Sequence, residues 1–185
     1  TGVQTCALPI WVESQNIAIG SYSMLSVDEG ASQNADNNIA IGYSALTGGA
    51  ISGGDFIDNI AIGREALNNT GTNPQTGTIA IGKDSLGALT SGERNVAIGY
   101  ESLKSNTIGD KNTAVGYQAL ESFNADTDGH GHNTAVGHNT MQGNVTGTDN
   151  TAIGHMSAFS GTNNMTAGDN NTFVGSLTSP SSATP

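Results

Sequence analysis

The sequence predicts an all-β protein, a parallel β-solenoid of about nine coils, and three observations carry that prediction. A short phrase recurs nine times: a polar residue, then Ile, Val or Thr, then Ala, then Ile or Val, then Gly. Its clearest copies are Asn95-Val96-Ala97-Ile98-Gly99 and Asn112-Thr113-Ala114-Val115-Gly116. The closing glycines are Gly20, Gly42, Gly63, Gly82, Gly99, Gly116, Gly137, Gly154 and Gly175, spaced 17 to 22 residues apart. A period near twenty marks stacked units, each too short to bury an apolar face by itself. The third observation is that the aligned copies sort into columns of constant chemistry.

Each column has a structural expectation. The residue before the Gly is always β-branched, from Ile19 and Ile41 to Ile153 and Val174, which is strand chemistry. The residue before that is Ala in eight copies and Phe173 in the ninth. Successive strand side chains point to opposite faces, so the two columns part company. The β-branched column is assigned to the coil interior. The Ala/Gly column is assigned to a flat outer side that packs on an identical chain, which is the ground for expecting a homo-oligomer. The Gly is expected to mark a bend first and a close contact second.

The flanking columns complete the coil. The opening residue, Asn in eight copies and Thr78 in the fourth, predicts a turn with a stacked amide ladder along the solenoid. After the Gly comes a second apolar column, Met24, Leu46, Leu67, Leu86, Leu103, Leu120 and Met141, expected to form an opposing wall, with Phe159 substituting one position late. Gly92, Gly109, Gly147 and Gly168 stand three residues before an Asn and read as turns. Length varies only in these linkers, so insertions such as residues 122–132 should emerge on one flank, where a rigid scaffold carries recognition. Nine rungs about 4.8 Å apart make a rod on the order of 40 Å long.

The chain divides into three parts. Residues 1–10, Thr-Gly-Val-Gln-Thr-Cys-Ala-Leu-Pro-Ile, match the translation of ACT GGA GTT CAG ACG TGT GCT CTT CCG ATC, familiar from sequencing adapters, and are set aside as an artefact. Residues 11–178 are the repeat solenoid, and the Ser/Pro-rich 179–185 read as a linker or truncated end. Setting aside 1–10 removes Cys6, the one cysteine, and leaves no natural beginning, so a fragment of a longer protein is expected. Sixteen acidic against five basic residues, a net charge of -11, oppose nucleic-acid binding by phosphate neutralisation. No apolar run has the length of a membrane span.

Four groups of residues invite a functional reading. The column after the Gly holds Tyr43, Arg64, Lys83, Tyr100, Tyr117, His138 and His155. Tyr43, Tyr100, Tyr117, His138 and His155 are the candidate ligand-binding residues, with mutual stacking and cation–π packing as the ordinary alternative. Glu65, Asp84 and Glu101 form a carboxylate column whose spacing resembles a glycosidase pair, but Arg64 and Lys83 beside them point to an ion-pair ladder. The run Asp126-Thr127-Asp128-Gly129-His130-Gly131 starts like a calcium loop and fails it at His130 and Gly137, so no metal site is assigned. His130, His132 and His138 read as loop residues more readily than as metal ligands. Thr113, Thr134, Thr151 and Thr172 form a rank that an ice-binding face would use, here assigned instead to a partly polar interior column. No nucleophile elbow, phosphate loop or zinc spacing occurs, so no enzyme activity and no cofactor are expected.

The phrase Asn112-Thr113-Ala114-Val115-Gly116-Tyr117-Gln118-Ala119-Leu120 resembles the head repeats of YadA-like trimeric autotransporter adhesins. It is also similar to repeats of phage tail-fibre proteins that carry an endosialidase-type chaperone. The resemblance spans Asn16 to Gly175. It implies a left-handed β-roll, a homotrimer, an extracellular place on a cell surface or virion tail fibre, and a host-matrix, cell-surface or glycan ligand. The function expected is an adhesive or spacer segment of a bacterial surface fibre, with a glycan-binding tail fibre as the alternative and a depolymerase or ice-binding solenoid as remote ones. The 17-to-22-residue coils are longer than the compact adhesin head repeat, which favours tail-fibre-like or other surface fibres.

Overall fold

The computed structural model describes residues 15–25, 34–48, 54–125, 127, 130–159 and 168–178. The readings of 1–10 and 179–185, and of Asp126, Asp128 and Gly129, lie outside the described residues. The nine phrases are nine strands: β1 (Ile17–Ile19), β2 (Ile39–Ile41), β4 (Ile60–Ile62), β6 (Ile79–Ile81), β7 (Val96–Ile98), β8 (Thr113–Val115), β9 (Thr134–Val136), β10 (Thr151–Ile153) and β11 (Thr172–Val174). They form one parallel sheet in chain order, each Ala in register with the Ala of the next coil, as in Ala97↔Ala114. Two shorter strands, β3 (Phe56–Ile57) and β5 (Gln75–Thr76), pair parallel in a second sheet, and an Asp110↔Gly131 bridge continues the pattern. The chain is thus an all-β parallel solenoid. The solenoid has about seven turns.

The two faces of the main sheet are the reverse of the expectation. From β2 to β10 every Ala of the phrase is 0% exposed and lines the coil interior. The β-branched columns point outward, with Ile19 at 49%, Ile153 at 44% and Val136 at 36% exposure. Size decides this. The opposing wall carries Leu46, Leu67, Leu86, Leu103, Leu120 and Met141, all fully buried, and Phe56, Leu89 and Phe123 join them. Those side chains fill a narrow coil, and the facing sheet contributes only a methyl per rung, because interiors pack to crystal-like density.

The same complementarity shapes the last described coil. Ala158, buried and at the φ of 51° shared by the Leu column, continues that wall, whereas Phe159 lies half-buried beside it and does not substitute. Phe173 stands in the inward column where the other copies have Ala and packs against the buried cluster. A large residue in the Ala column thus accompanies a small one in the Leu column.

Corners are held by hydrogen bonds between coils. Glu101 and Leu103 have φ of 54° and 51°, a left-handed conformation costly for residues with a Cβ. It is maintained because Glu101 N–H donates to Lys83 O one coil back and Leu103 N–H to Ala119 O one coil on, both at 2.9 Å. The small residue between them is buried, and where it is Ser85 or Ser102 its hydroxyl donates to the preceding Gly carbonyl at 3.1 Å.

The amide ladder forms as expected. Asn133 donates its N–H and its Nδ2 to Asn112 Oδ1 at 3.1 and 3.2 Å, and Asn150 repeats this on Asn133. The free Nδ2 hydrogen reaches a carbonyl three residues before the next Asn, as from Asn133 to Gly147 O at 2.9 Å. The fourth coil breaks the series: Thr78 N–H still donates to Asn59 Oδ1 at 3.0 Å, but the buried Thr78 hydroxyl and Gln75 amide have no protein partner.

Candidate interaction surface

Because Ala faces inward, the outer face of the nine-stranded sheet carries two parallel ranks. One comprises the residues before Ala, Ile17, Ile39, Ile60, Ile79, Val96, Thr113, Thr134, Thr151 and Thr172; the other is the β-branched column before Gly. Neither rank contains a charged residue, on a chain whose net charge is -11. The sheet therefore offers a chargeless stripe with apolar side chains exposed in several rungs, among them Ile17, Ile19, Ile98, Ile153 and Val174. The face changes between β7 and β8, from Ile/Ile to Thr/Val. The Thr rank is thus on the outer surface, not in the interior column to which it was assigned, since it shares the parity of the outward β-branched residues.

Two polar columns border the stripe. Following the Gly, the candidate ligand-binding rings form a stack. Tyr100 and Tyr117 lie 5.2 Å apart with planes 7° from parallel, Tyr117 and His138 5.0 Å, and His138 and His155 5.3 Å. Lys83 Nζ caps the stack 5.0 Å above Tyr100. Tyr43 stands apart, edge-on to Tyr22 at 5.6 Å. Stacked rings occupy one another's faces, so between Lys83 and His155 the column presents hydroxyls and ring nitrogens at its rim rather than open faces for a sugar. The other border precedes each Asn and holds exposed Asn37, Asp58, Arg94, Lys111, His132, Asp149 and Asn170.

The carboxylates are paired. Arg64 meets Glu65 at 3.0 Å, Lys83 meets Asp84 at 2.6 Å, and Lys104 meets Glu101 at 2.8 Å. The Lys104 ammonium and then the Gln118 amide donate to Glu101 and hold its carboxyl below the usual glutamate range. The same contact raises Lys104, and the Asp84 carboxylate raises Lys83. An ionised, twice-bonded Glu101 is the reverse of a general acid, whose pKa must be raised. Farther along, Gln118 also donates to Glu121 at 3.2 Å and Gln142 reaches both Gln118 and Glu121, extending a polar ladder from coil to coil.

The predicted loop flank is partly drawn inside. Phe123 and Ala125 are buried, and Asn124 is tied to the next coil through its N–H to Val145 O at 2.8 Å. His132 Nδ1 lies 3.2 Å from Asp149 Oδ1. Among the described residues no three His, Cys, Asp or Glu side chains converge on a metal position, and no helix is long and apolar enough to cross a membrane. The outward ranks are the site that sequence reasoning misplaced; their freedom from charge over nine copies was the signal available for finding them. The fold and this surface define a β-solenoid repeat protein. No protein-family model, curated protein or solved structure matches the chain.

Proposed function

We propose that the chain is a non-enzymatic adhesive or spacer segment of an extracellular bacterial surface fibre, assembled as a homotrimer through the outer face of its nine-stranded sheet. One observation carries this reading: two chargeless β-branched ranks run the length of a strongly acidic solenoid. Exposed apolar stripes of this length are covered in solution, and a rod with its own copies around it covers them while leaving the loop-bearing flanks outside. The surface replaces the Ala/Gly side on which the oligomer expectation first rested. Light scattering of the purified chain should give three times the monomer mass. Ile62→Asp should shift that mass to one chain while far-UV circular dichroism stays unchanged. A monomeric mass for the unsubstituted chain would end the reading. A tail fibre would use the same architecture, and the stacked rim of Tyr100, Tyr117, His138 and His155 would then meet a glycan by its edges.

A second reading rests on the outward Thr113, Thr134, Thr151 and Thr172, in register beside Val115, Val136, Ile153 and Val174. Regular hydroxyls and methyls on a flat sheet would suit an ice surface, provided the face is not covered by other copies. A monomeric protein showing thermal hysteresis that Thr134→Lys abolishes is the outcome this reading expects; no hysteresis disposes of it.

A further inference from the structure

We infer that a water molecule is bound inside the fourth coil, its oxygen standing in for the side-chain oxygen that the amide ladder lacks at Thr78. The ladder itself defines the place. Asn38, Asn59, Asn112, Asn133, Asn150 and Asn171 each give their backbone N–H and one Nδ2 hydrogen to the Oδ1 of the Asn one coil back. Asn95 is the exception. Its neighbour one coil back is Thr78, whose hydroxyl takes no bond from the protein, so Asn95 keeps only the other half of the pattern, Nδ2 to Gly109 O at 2.8 Å.

Reach and chemistry both follow from the residue types. Asparagine carries two heavy atoms, Oδ1 and Nδ2, beyond the γ position and threonine carries none, so residue 78 stops short of the level that its ladder neighbours fill. Gln75, Thr78 and Asn95 are all fully buried. One amide draws the first two together: Asn59 Nδ2 donates to Gln75 O and Asn59 Oδ1 accepts from Thr78 N–H, both at 3.0 Å. The fourth coil therefore holds two buried acceptors, Thr78 Oγ1 and Gln75 Oε1, that no protein donor reaches, beneath two Asn95 hydrogens that find no acceptor at Thr78. Water fits this set. Its oxygen accepts the two Asn95 hydrogens as Oδ1 does in the other coils, and its own hydrogens have the two acceptors to serve. Buried waters characteristically make about three such bonds to groups that otherwise lack them. A cation would meet the positive ends of the Asn95 N–H and Nδ2–H, and an anion would be buried without a counter-charge.

High-resolution crystal structures of the full chain and of its Thr78→Asn variant test this. In the parent, density for one water should lie within about 3.2 Å of both Asn95 N and Asn95 Nδ2. In the variant that water should be gone, with the new side-chain oxygen in its place and both Asn95 bonds made to it. A parent without such density, its Gln75 amide turned to bond Asn95 directly, would overturn the inference whether or not the variant folds. A water that stays on Asn95 N in the variant would overturn it too, because it would not be replacing the ladder oxygen. Both outcomes are independent of the light-scattering mass, so this site and the trimer stand or fall separately.

Discussion

Gly63→Ala is expected to lower the urea unfolding midpoint sharply. Gly63 has φ of +135°, and a Cβ on it would lie 2.6 Å from Gly82 O and 2.7 Å from Gly82 C. Those atoms are backbone of the next coil and cannot swing aside. Relief requires these two coils to separate, which strains Gly82 N–H→Ile62 O, 2.8 Å. Backbone strain and overpacking together put the cost at about 2–6 kcal/mol. The matched control is Gly77→Asn. Gly77 has φ of +66°, its nearest neighbour to a new Cβ is Arg94 Cγ at 3.9 Å, and the same column already holds Asn37 at 59°. That change should stay within about 0.5 kcal/mol, as surface substitutions do. Equal midpoint shifts for the two variants would show that the Gly column does not set the coil spacing.

Asn112→Leu should be the most damaging change of nearly constant volume. Asn112 Oδ1 accepts from Asn133 N and Nδ2 at 3.1 and 3.2 Å, and its Nδ2 donates to Asn95 Oδ1 and Asp110 O, both at 3.1 Å. Leucine leaves the buried Asn133 N–H without its acceptor and removes the side-chain bond to Asn95 Oδ1, which keeps only the residue 112 backbone N–H at 2.9 Å, at about 1–3 kcal/mol for each buried group left unsatisfied. Thr78→Asn runs the other way. It replaces a buried hydroxyl that has no partner by an amide able to extend the ladder, and should raise the midpoint by about 1 kcal/mol of stability. Unfolding curves of the two variants beside the parent check both signs. A ladder that is only decorative would leave all three curves superimposed.

Parallel stacking, register, the amide ladder and the Leu wall were legible because each is a property of one repeat copied onto the next. Asn above Asn and Leu above Leu require only that equal sequence adopts equal conformation. The side assignment of the β-branched column was not legible from the alternation, since a strand's alternation separates two faces without saying which is inside. General burial preferences pointed to Ile and Val, and the Leu wall had already filled the interior. The ring column shows the same limit. Its members could be read from the residues after Gly, but only their 5 Å face-to-face stacking shows that the rims, not the faces, are available.

Sequence alone therefore determined that the protein is a stack: nine phrases at a short period leave no other way to bury an apolar face. Only the tertiary structure decided which way the stack faces. Coil width is set by the largest side chains on the far wall, a quantity that belongs to no single column. With Leu and Phe spanning it, Ala is what fits opposite, and the β-branched ranks are left on the outside.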